Sequence, residues 1–359
     1  MNSPKKPSAS PPRMADIAKQ AGVSRMAVSA VLMGTGRGRI RVSEETAARI
    51  RQIAKEINYR PNLTAQQLAR KRSGVVAVVA KDWKNYLTQS SLAWLHEAAE
   101  EHGFRIMTAR GGNDMSAIEP VIRDLQAGWI DGLVYFAYQN EAQWAELTAA
   151  LSEFPSAVVV AVGDLRIPGV VSVISDVAQG ARESFLHLVE RGYKRPVFIT
   201  EEVETGFTQT RIQTYCSLAR EYGIPFDERS VIVEGLDWLL GDSRFYPKFD
   251  GLLRKVREEF QADAVICDTD FTAAALIRSC YRQKVSIPDE LAILGWGNLQ
   301  FANAITPSIT TVTYNLSQLL SVVLVKLQQQ LHRGQAVLVQ DPGQLVEFVP
   351  PKLIVRETT

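Results

Sequence analysis

The chain has 359 residues, 46% hydrophobic and 22% charged, enough for more than one domain with a sizeable core. It opens without an apolar leader and holds no apolar run near the roughly 18 residues that span a bilayer, so export and membrane insertion are not expected. Its formal net charge of +1 conceals an asymmetry: residues 1–73 carry 15 Lys/Arg against four Asp/Glu, a net of +11, and residues 74–359 carry 25 against 35, a net of −10. That split points to a module that binds a polyanion, joined to a body that the same polyanion repels.

Residues 1–12, MNSPKKPSASPP, are polar and proline-rich and read as a disordered basic tail. From Arg13 to Arg60 apolar residues recur at helical spacing in three pieces: Met14, Ile17, Ala18 and Ala21; then Val28, Val31 and Leu32; then Ala47, Ile50, Ile53, Ala54 and Ile57. Gly22 suits a helix C-cap, and Ser24 and Ser43 suit N-caps. Ala18 where two helices meet, Gly22 in the turn and Val28 as the apolar anchor have the spacing of a helix-turn-helix. The segment Gly34-Thr-Gly-Arg-Gly-Arg-Ile-Arg41 follows a helix and lacks a P-loop lysine; its Arg37, Arg39 and Arg41 suit phosphate or minor-groove contacts, and a solvated loop is the alternative. Residues 61–73 hold too few apolar side chains to fold alone and read as a linker.

Beyond Ser73 the pattern changes to apolar strands alternating with helices. Strands are expected at Val75–Ala80, Arg105–Thr108, Gly132–Phe136, Ala157–Val162, Pro196–Thr200, Val231–Glu234, Ala264–Cys267 and Leu291–Trp296. Runs of this kind imply parallel sheets covered on both faces, and 286 residues are too many for one such sheet, so two α/β lobes with a cleft are expected. Cys216, Cys267 and Cys280 form no CxxC, and the four histidines have no ligand spacing, which argues against a disulfide framework or zinc site and fits a reducing, cytoplasmic setting. No metal, cofactor or catalytic residue is expected. GxSxG, HExxH and P-loop motifs are missing, which disfavours an α/β enzyme, and the basic N-terminal unit disfavours a simple solute-binding protein.

The stretches MADIAKQAGVSRMAVSAVLMG, VSEETAARIRQIAKEINYRPN and AQQLA resemble the DNA-binding headpiece and hinge of the lac-repressor (LacI/GalR) family. Weaker similarity continues through GVVAVV, DGLV, HLVERGYKRPVFIT, IPDELAILGWGN, TPSITTV and PKLIVRET. The resemblance implies an all-α helix-turn-helix headpiece (13–60), a hinge helix (61–73) and a two-lobed α/β domain like periplasmic binding proteins (74–359). Its N-lobe would span about 74–172 and 307–334, and its C-lobe about 173–306 and 335–359. It further implies a transcriptional regulator, by family default a repressor, acting as a homodimer on a pseudo-palindromic double-stranded operator under a small-molecule effector such as a sugar. No heptads follow Arg356, which favours a dimer over a coiled-coil tetramer.

Carried over by position, Arg25, Met26 and Ala30 would face base edges, and Ser24, Ala27 and Ser29 would face phosphates. Asn62, Ala65, Gln66 and Leu68 would form the hinge helix, with Leu68 wedged into the minor groove. Arg25 is the one strong donor among the base-facing three, which suggests guanine recognition, with Met26 and Ala30 against thymine methyls. Arg211, Trp238 and Asp270 match effector-contacting positions, Trp296 offers stacking, and Asp82, Asn85 and Tyr138 lie at strand ends facing the cleft. Each has a structural alternative: Arg211 as an ion pair, Trp238 as core, Asp270 as a helix cap. Gly295-Trp-Gly-Asn298 stands where many sugar-binding relatives have GFDD, so a carboxylate for polyol hydroxyls is missing.

Overall fold

A strand made wholly of apolar residues needs cover on both faces, and that need organises most of this chain. The computed structural model describes residues 12–33, 42–59, 72–80, 86–111, 115–136, 145–154, 157–162, 167, 169–203, 206–234, 245–333 and 345–359. The chain divides into two units, Met1–Ser73 and Gly74–Thr359. The first contains α1 (Met14–Ala21), α2 (Arg25–Met33) and α3 (Glu44–Glu56). In the second, β1 (Val75–Ala80), α4 (Tyr86–Glu101), β2 (Arg105–Arg110), α5 (Glu119–Gln126), β3 (Gly132–Phe136), α6 (Ala145–Ser152), β4 (Val158–Ala161) and β5 (Val171–Ser175) follow one another. Next come α7 (Val177–Glu190), β6 (Pro196–Thr200), α8 (Gly206–Tyr222), β7 (Val231–Val233), α9 (Phe245–Arg254), β8 (Ala264–Cys267), α10 (Asp270–Gln283) and β9 (Ala292–Trp296). β10 (Thr310–Thr313), α11 (Leu316–Arg333), β11 (Val346–Val349) and β12 (Lys352–Ile354) complete it.

The first unit is a three-helix core around Ile17, Val28 and Ile50, all without solvent exposure. Gly22 ends α1 at φ 66°, a left-handed conformation that glycine adopts without penalty, and Val23 N–H closes the turn on Ala18 O at 3.1 Å. Ser24 Oγ accepts from Ala27 N–H at 3.1 Å and starts α2; Ser43 Oγ accepts from Thr46 N–H at 3.3 Å and starts α3.

The second unit holds two six-stranded sheets, ordered β11-β5-β4-β3-β1-β2 and β12-β10-β9-β8-β6-β7. Every pairing is parallel except β10 with β12. Along β1, Val76, Val78 and Ala80 pack with Leu95 of α4 and Leu320 of α11, while Ala77 and Val79 pack with Ile122 of α5 and Leu147 of α6. β8 repeats this: Val265 and Cys267 face Leu253 and Leu276, and Ala264 and Ile266 face Phe185 and Tyr215. Both lobes are therefore doubly wound, with helices on each side of a parallel sheet.

The lobe boundaries expected near residues 172, 306 and 334 are corrected by these sheets. β5 runs to Ser175 before the chain leaves the N-lobe, and β10 belongs to the C-lobe sheet, so residues 310–313 lie there. β11 pairs with β5, so residues 346–349 return to the N-lobe before β12 crosses again. The misplacement has a cause in the residues: VSVIS and TTVT mix hydroxyls into strands and do not read as apolar runs. The three crossings are laced together, Asp176 N–H donating to Val349 O at 3.0 Å and Asn315 Nδ2 to Pro350 O at 3.3 Å.

Gly295, inside β9, tests how tightly the C-lobe is closed. A Cβ there would overlap Oδ1 of Asp270 and meet Ile309 Cγ2 at 3.0 Å. Gly295→Ala should lower stability by about 3 kcal/mol, the upper part of the range for overpacking, read as a lower urea midpoint with unchanged m-value.

Candidate nucleic-acid and effector sites

On the first unit, the start of α2 is the exposed feature. Ser24, Arg25 and Met26 all face solvent, and Met26 is 67% exposed although it is a large apolar side chain. Together the three place an arginine and a flexible apolar side chain, both open to a partner, at the start of one helix. Tyr59 is held by Asn58 in a left-handed turn (φ 54°), with its N–H on Ala54 O at 2.8 Å, and its ring packs on the three-helix core. Burial raises the Tyr59 pKa, and the nearby Arg25 charge opposes that shift. The phenol is therefore a neutral hydrogen-bonding group beside the arginine at physiological pH.

Ser29 and Ala30 are half-buried on the same helix. Ala27 departs from expectation: it is 9% exposed and its N–H is taken by Ser24 Oγ, so neither its methyl nor its amide is available to a phosphate. Ser24 takes the amide as the helix cap, and residue 27 lies beside Val28 on the buried side of α2. Arg37, Arg39, Asn62, Ala65, Gln66 and Leu68 lie outside the described residues.

In the C-lobe the polar groups gather at the carboxyl ends of the parallel strands, where open α/β sheets bind ligands. Thr200 ends β6, Asp268 follows β8, Trp296 ends β9 and Tyr314 follows β10. Arg211, from the first half of α8, reaches this edge. Its guanidinium carbon lies 4.8 Å from the Trp296 ring centroid and 5.1 Å from that of Phe198, and Nη1 donates to Asp268 O at 3.3 Å. Arg211 is 6% exposed, and its Nε is buried with no hydrogen-bond partner among the described residues. The surface ion pair is thus not its role among the described contacts; it is a cation held between two aromatic rings.

Two other expected effector contacts are corrected. Asp270 has no solvent exposure, and its oxygens are both spent: Oδ1 accepts from Thr311 Oγ1 at 2.6 Å and Oδ2 from Leu299 N–H at 2.7 Å. It is not the N-cap of α10 either, since Thr269 Oγ1 accepts from Thr272 N–H at 3.2 Å. Trp296 is 2% exposed with Arg211 over its ring, which leaves no open face for a sugar. Asn298, in the GWGN stretch, turns to Arg356, which donates Nη2 to its Oδ1 at 2.7 Å. Asp82, Asn85, Tyr138 and Trp238 lie outside the described residues.

Asp268 is the group that sequence reasoning missed. Its Oδ2 accepts from Glu201 N–H at 2.8 Å and its Oδ1 from Thr272 Oγ1 at 3.0 Å. Burial raises its pKa against the opposing pull of Arg211 and these hydrogen bonds. A carboxylate placed directly after an apolar strand was the available signal.

The helix-turn-helix region, residues 13–62, matches the model of bacterial regulatory proteins of the lacI family, and residues 185–359 match that of a periplasmic binding protein-like domain. The transcriptional regulator DegA of Bacillus subtilis is 26% identical over 347 residues, covering 96% of this chain and 97% of its own. A lac repressor dimer bound to operator and the anti-inducer ONPF superposes with a TM-score of 0.74 at 21% identity, covering 98% of this chain and 99% of that one. A complex of the regulator CelR with cellobiose gives 0.65 at 22% identity, covering 97% and 100%. At these identities the two structures bear on the fold.

The enclosed carboxylates give the C-lobe a pH signature. Burial raises the pKa of Asp270 from the ordinary 3.8, against hydrogen bonds from Thr311 and Leu299, so the folded chain keeps its proton to higher pH than the unfolded chain. Stability from this group is full below the unfolded value and is lost as pH rises through the folded one. Asp270→Asn removes that loss: between about pH 4 and pH 7 its urea midpoint should change more favourably with rising pH than the parent's. Identical pH slopes would show that the carboxylate is not penalised.

Proposed function

The chain belongs to the lacI family of bacterial regulatory proteins and is a DNA-binding transcriptional regulator, and from that premise we propose a homodimeric repressor on a pseudo-palindromic operator, controlled by a small-molecule effector held between the lobes. The observation that carries the reading is the exposed start of α2, Ser24 to Met26, on the unit with a net charge of +11. A capped helix presenting one arginine and one flexible apolar side chain suits a major groove, where Arg25 would take guanine O6 and N7 and Met26 a thymine methyl. Ser24 and Ser29 would address phosphates, Ala30 a second methyl, and Asn62, Ala65, Gln66 and Leu68 the minor groove through the hinge. The acidic body, at −10, keeps nonspecific contact with DNA confined to the headpiece.

For the effector, a sugar or related metabolite fits the cleft at the strand ends. Arg211 supplies the C-lobe donor, and Asp82, Asn85, Tyr138 and Trp238 are proposed to line the same cleft. Gly297, at φ +121°, carries no carboxylate, and Asn298 is committed to Arg356. A polyol would therefore lose a bidentate acceptor here, which favours a ligand recognised by donors. Among the described residues no helix is long and apolar enough to cross a membrane, and a cytoplasmic location is proposed.

The test is selection of bound duplexes from random DNA by the full chain, followed by binding at varied salt. An enriched inverted repeat and a linear fall of log affinity with log salt are expected; no enriched duplex, with or without candidate sugars, overturns the reading. Arg25→Ala should relax preference at one base pair, costing about 1–3 kcal/mol there. Uniform weakening of all sequences would refute the guanine assignment. Replacing Arg37, Arg39 and Arg41 with Gln should make the salt slope shallower by about one unit per lost phosphate contact; an unaltered slope assigns them to solvent.

A further inference from the structure

Trp296 occupies an unusual place for a core aromatic residue. It is the last residue of β9, and its indole lies against parts of the chain that follow or form all three lobe crossings. Tyr314, the first residue past β10 and so part of the second crossing, has its ring 6.1 Å from the indole. Gly180, in the first turn of α7 just past the first crossing, leaves no room for a side chain. A Cβ there would lie 3.0 Å from each of Trp296 Cη2, Pro351 Cγ and Val312 Cγ1. Pro351 lies in the third crossing, between β11 and β12. The Arg211 guanidinium covers the same ring at 4.8 Å.

From this arrangement we infer that Trp296 is a positioning residue that transmits the state of Arg211 to the three crossings between the lobes. The meaning of that transmission rests on the proposed effector reading, in which a ligand at the cleft engages Arg211. A shift of Arg211 away from its place 4.8 Å over the ring uncovers the indole. The indole is hemmed in as well: Trp296 pairs with Val312 across the sheet and shares its core cluster, and the α7 backbone at Gly180 is near enough that a Cβ there would lie 3.0 Å from Cη2. Displacement must be taken up by the chain next to it, and that chain is where the lobes are joined. Interiors packed this closely switch between arrangements and do not deform smoothly.

Hydrogen exchange in the full chain tests the inference without ligand or DNA. The reporter is the Asp176 amide, which bonds Val349 O across two crossings, and the Val265 amide inside β8 serves as the reference for global opening. Arg211→Met should accelerate exchange at Asp176 by about tenfold beyond any change at Val265, and by less than about twofold in a Trp296→Phe background. Phe198→Leu, which alters the ring on the arginine's other contact, should leave Asp176 at the parent rate relative to Val265. Equal effects of Arg211→Met in the two backgrounds, or parallel changes at Asp176 and Val265, overturn the inference. Should Trp296→Phe fail to fold, Trp296→Tyr takes its place as the background, and Arg211→Met should again accelerate Asp176 exchange by less than about twofold there. A tenfold acceleration there, as in the parent, also overturns it. A chain that shows this coupling but selects no duplex would refute the DNA reading and leave the transmission standing.

Discussion

One carboxylate shut away from water constrains most of the C-lobe. Asp270 opens α10, accepts hydrogen bonds from the Thr311 hydroxyl of β10 and the Leu299 amide after β9, and leaves room beside it only for glycine at 295. A buried carboxylate that lost either partner would carry a desolvation cost of several kcal/mol. Three elements are thereby held in one register, and the loop Gly297–Leu299 is fixed from beneath. Arg356 adds a charge near the same carboxylate and a hydrogen bond to Asn298, so the last segment of the chain stabilises a loop at the mouth of the cleft. What looked like a ligand-binding acid is a structural keystone, and its burial is why the cleft must use other groups.

Much of the architecture was legible because burial on both faces leaves a simple mark. Val75–Ala80, Gly132–Phe136, Pro196–Thr200 and Ala264–Cys267 are uninterrupted enough that their limits could be read directly, and Gly22, Ser24 and Ser43 marked helix ends by their backbone chemistry. The strands that escaped notice owe their burial to partners far along the chain. Thr310 is enclosed with its N–H on Thr358 Oγ1 at 2.8 Å, and Thr311 is enclosed by its bond to Asp270. Hydroxyl-rich strands of this kind become interior only once the distant acceptor or donor is in place, which no local pattern reveals. The same limit applied to the site: Arg211 could be picked out by position, but its aromatic sandwich and the enclosure of Trp296 are tertiary facts.

The charge division and the two kinds of unit serve one arrangement. A small three-helix core is enough to hold α2 with Arg25 and Met26 outward, and its surplus of cations belongs to that part of the chain alone. The larger unit commits its polar groups inward, at strand ends, and carries the opposite sign. Recognition of a polyanion and recognition of a small molecule are thus separated by electrostatics as well as by fold.

Because the chain passes between its lobes three times, each sheet is completed by a strand far along the chain from most of its neighbours. β11 edges the first sheet, β12 the second, and Thr358 N–H and O bond Ser308 and Ile293. During translation the three-helix unit can finish early, whereas neither sheet gains its edge strand until residues 346–354 have been made. A nascent chain therefore has its DNA-reading part before either sheet of the larger unit is complete.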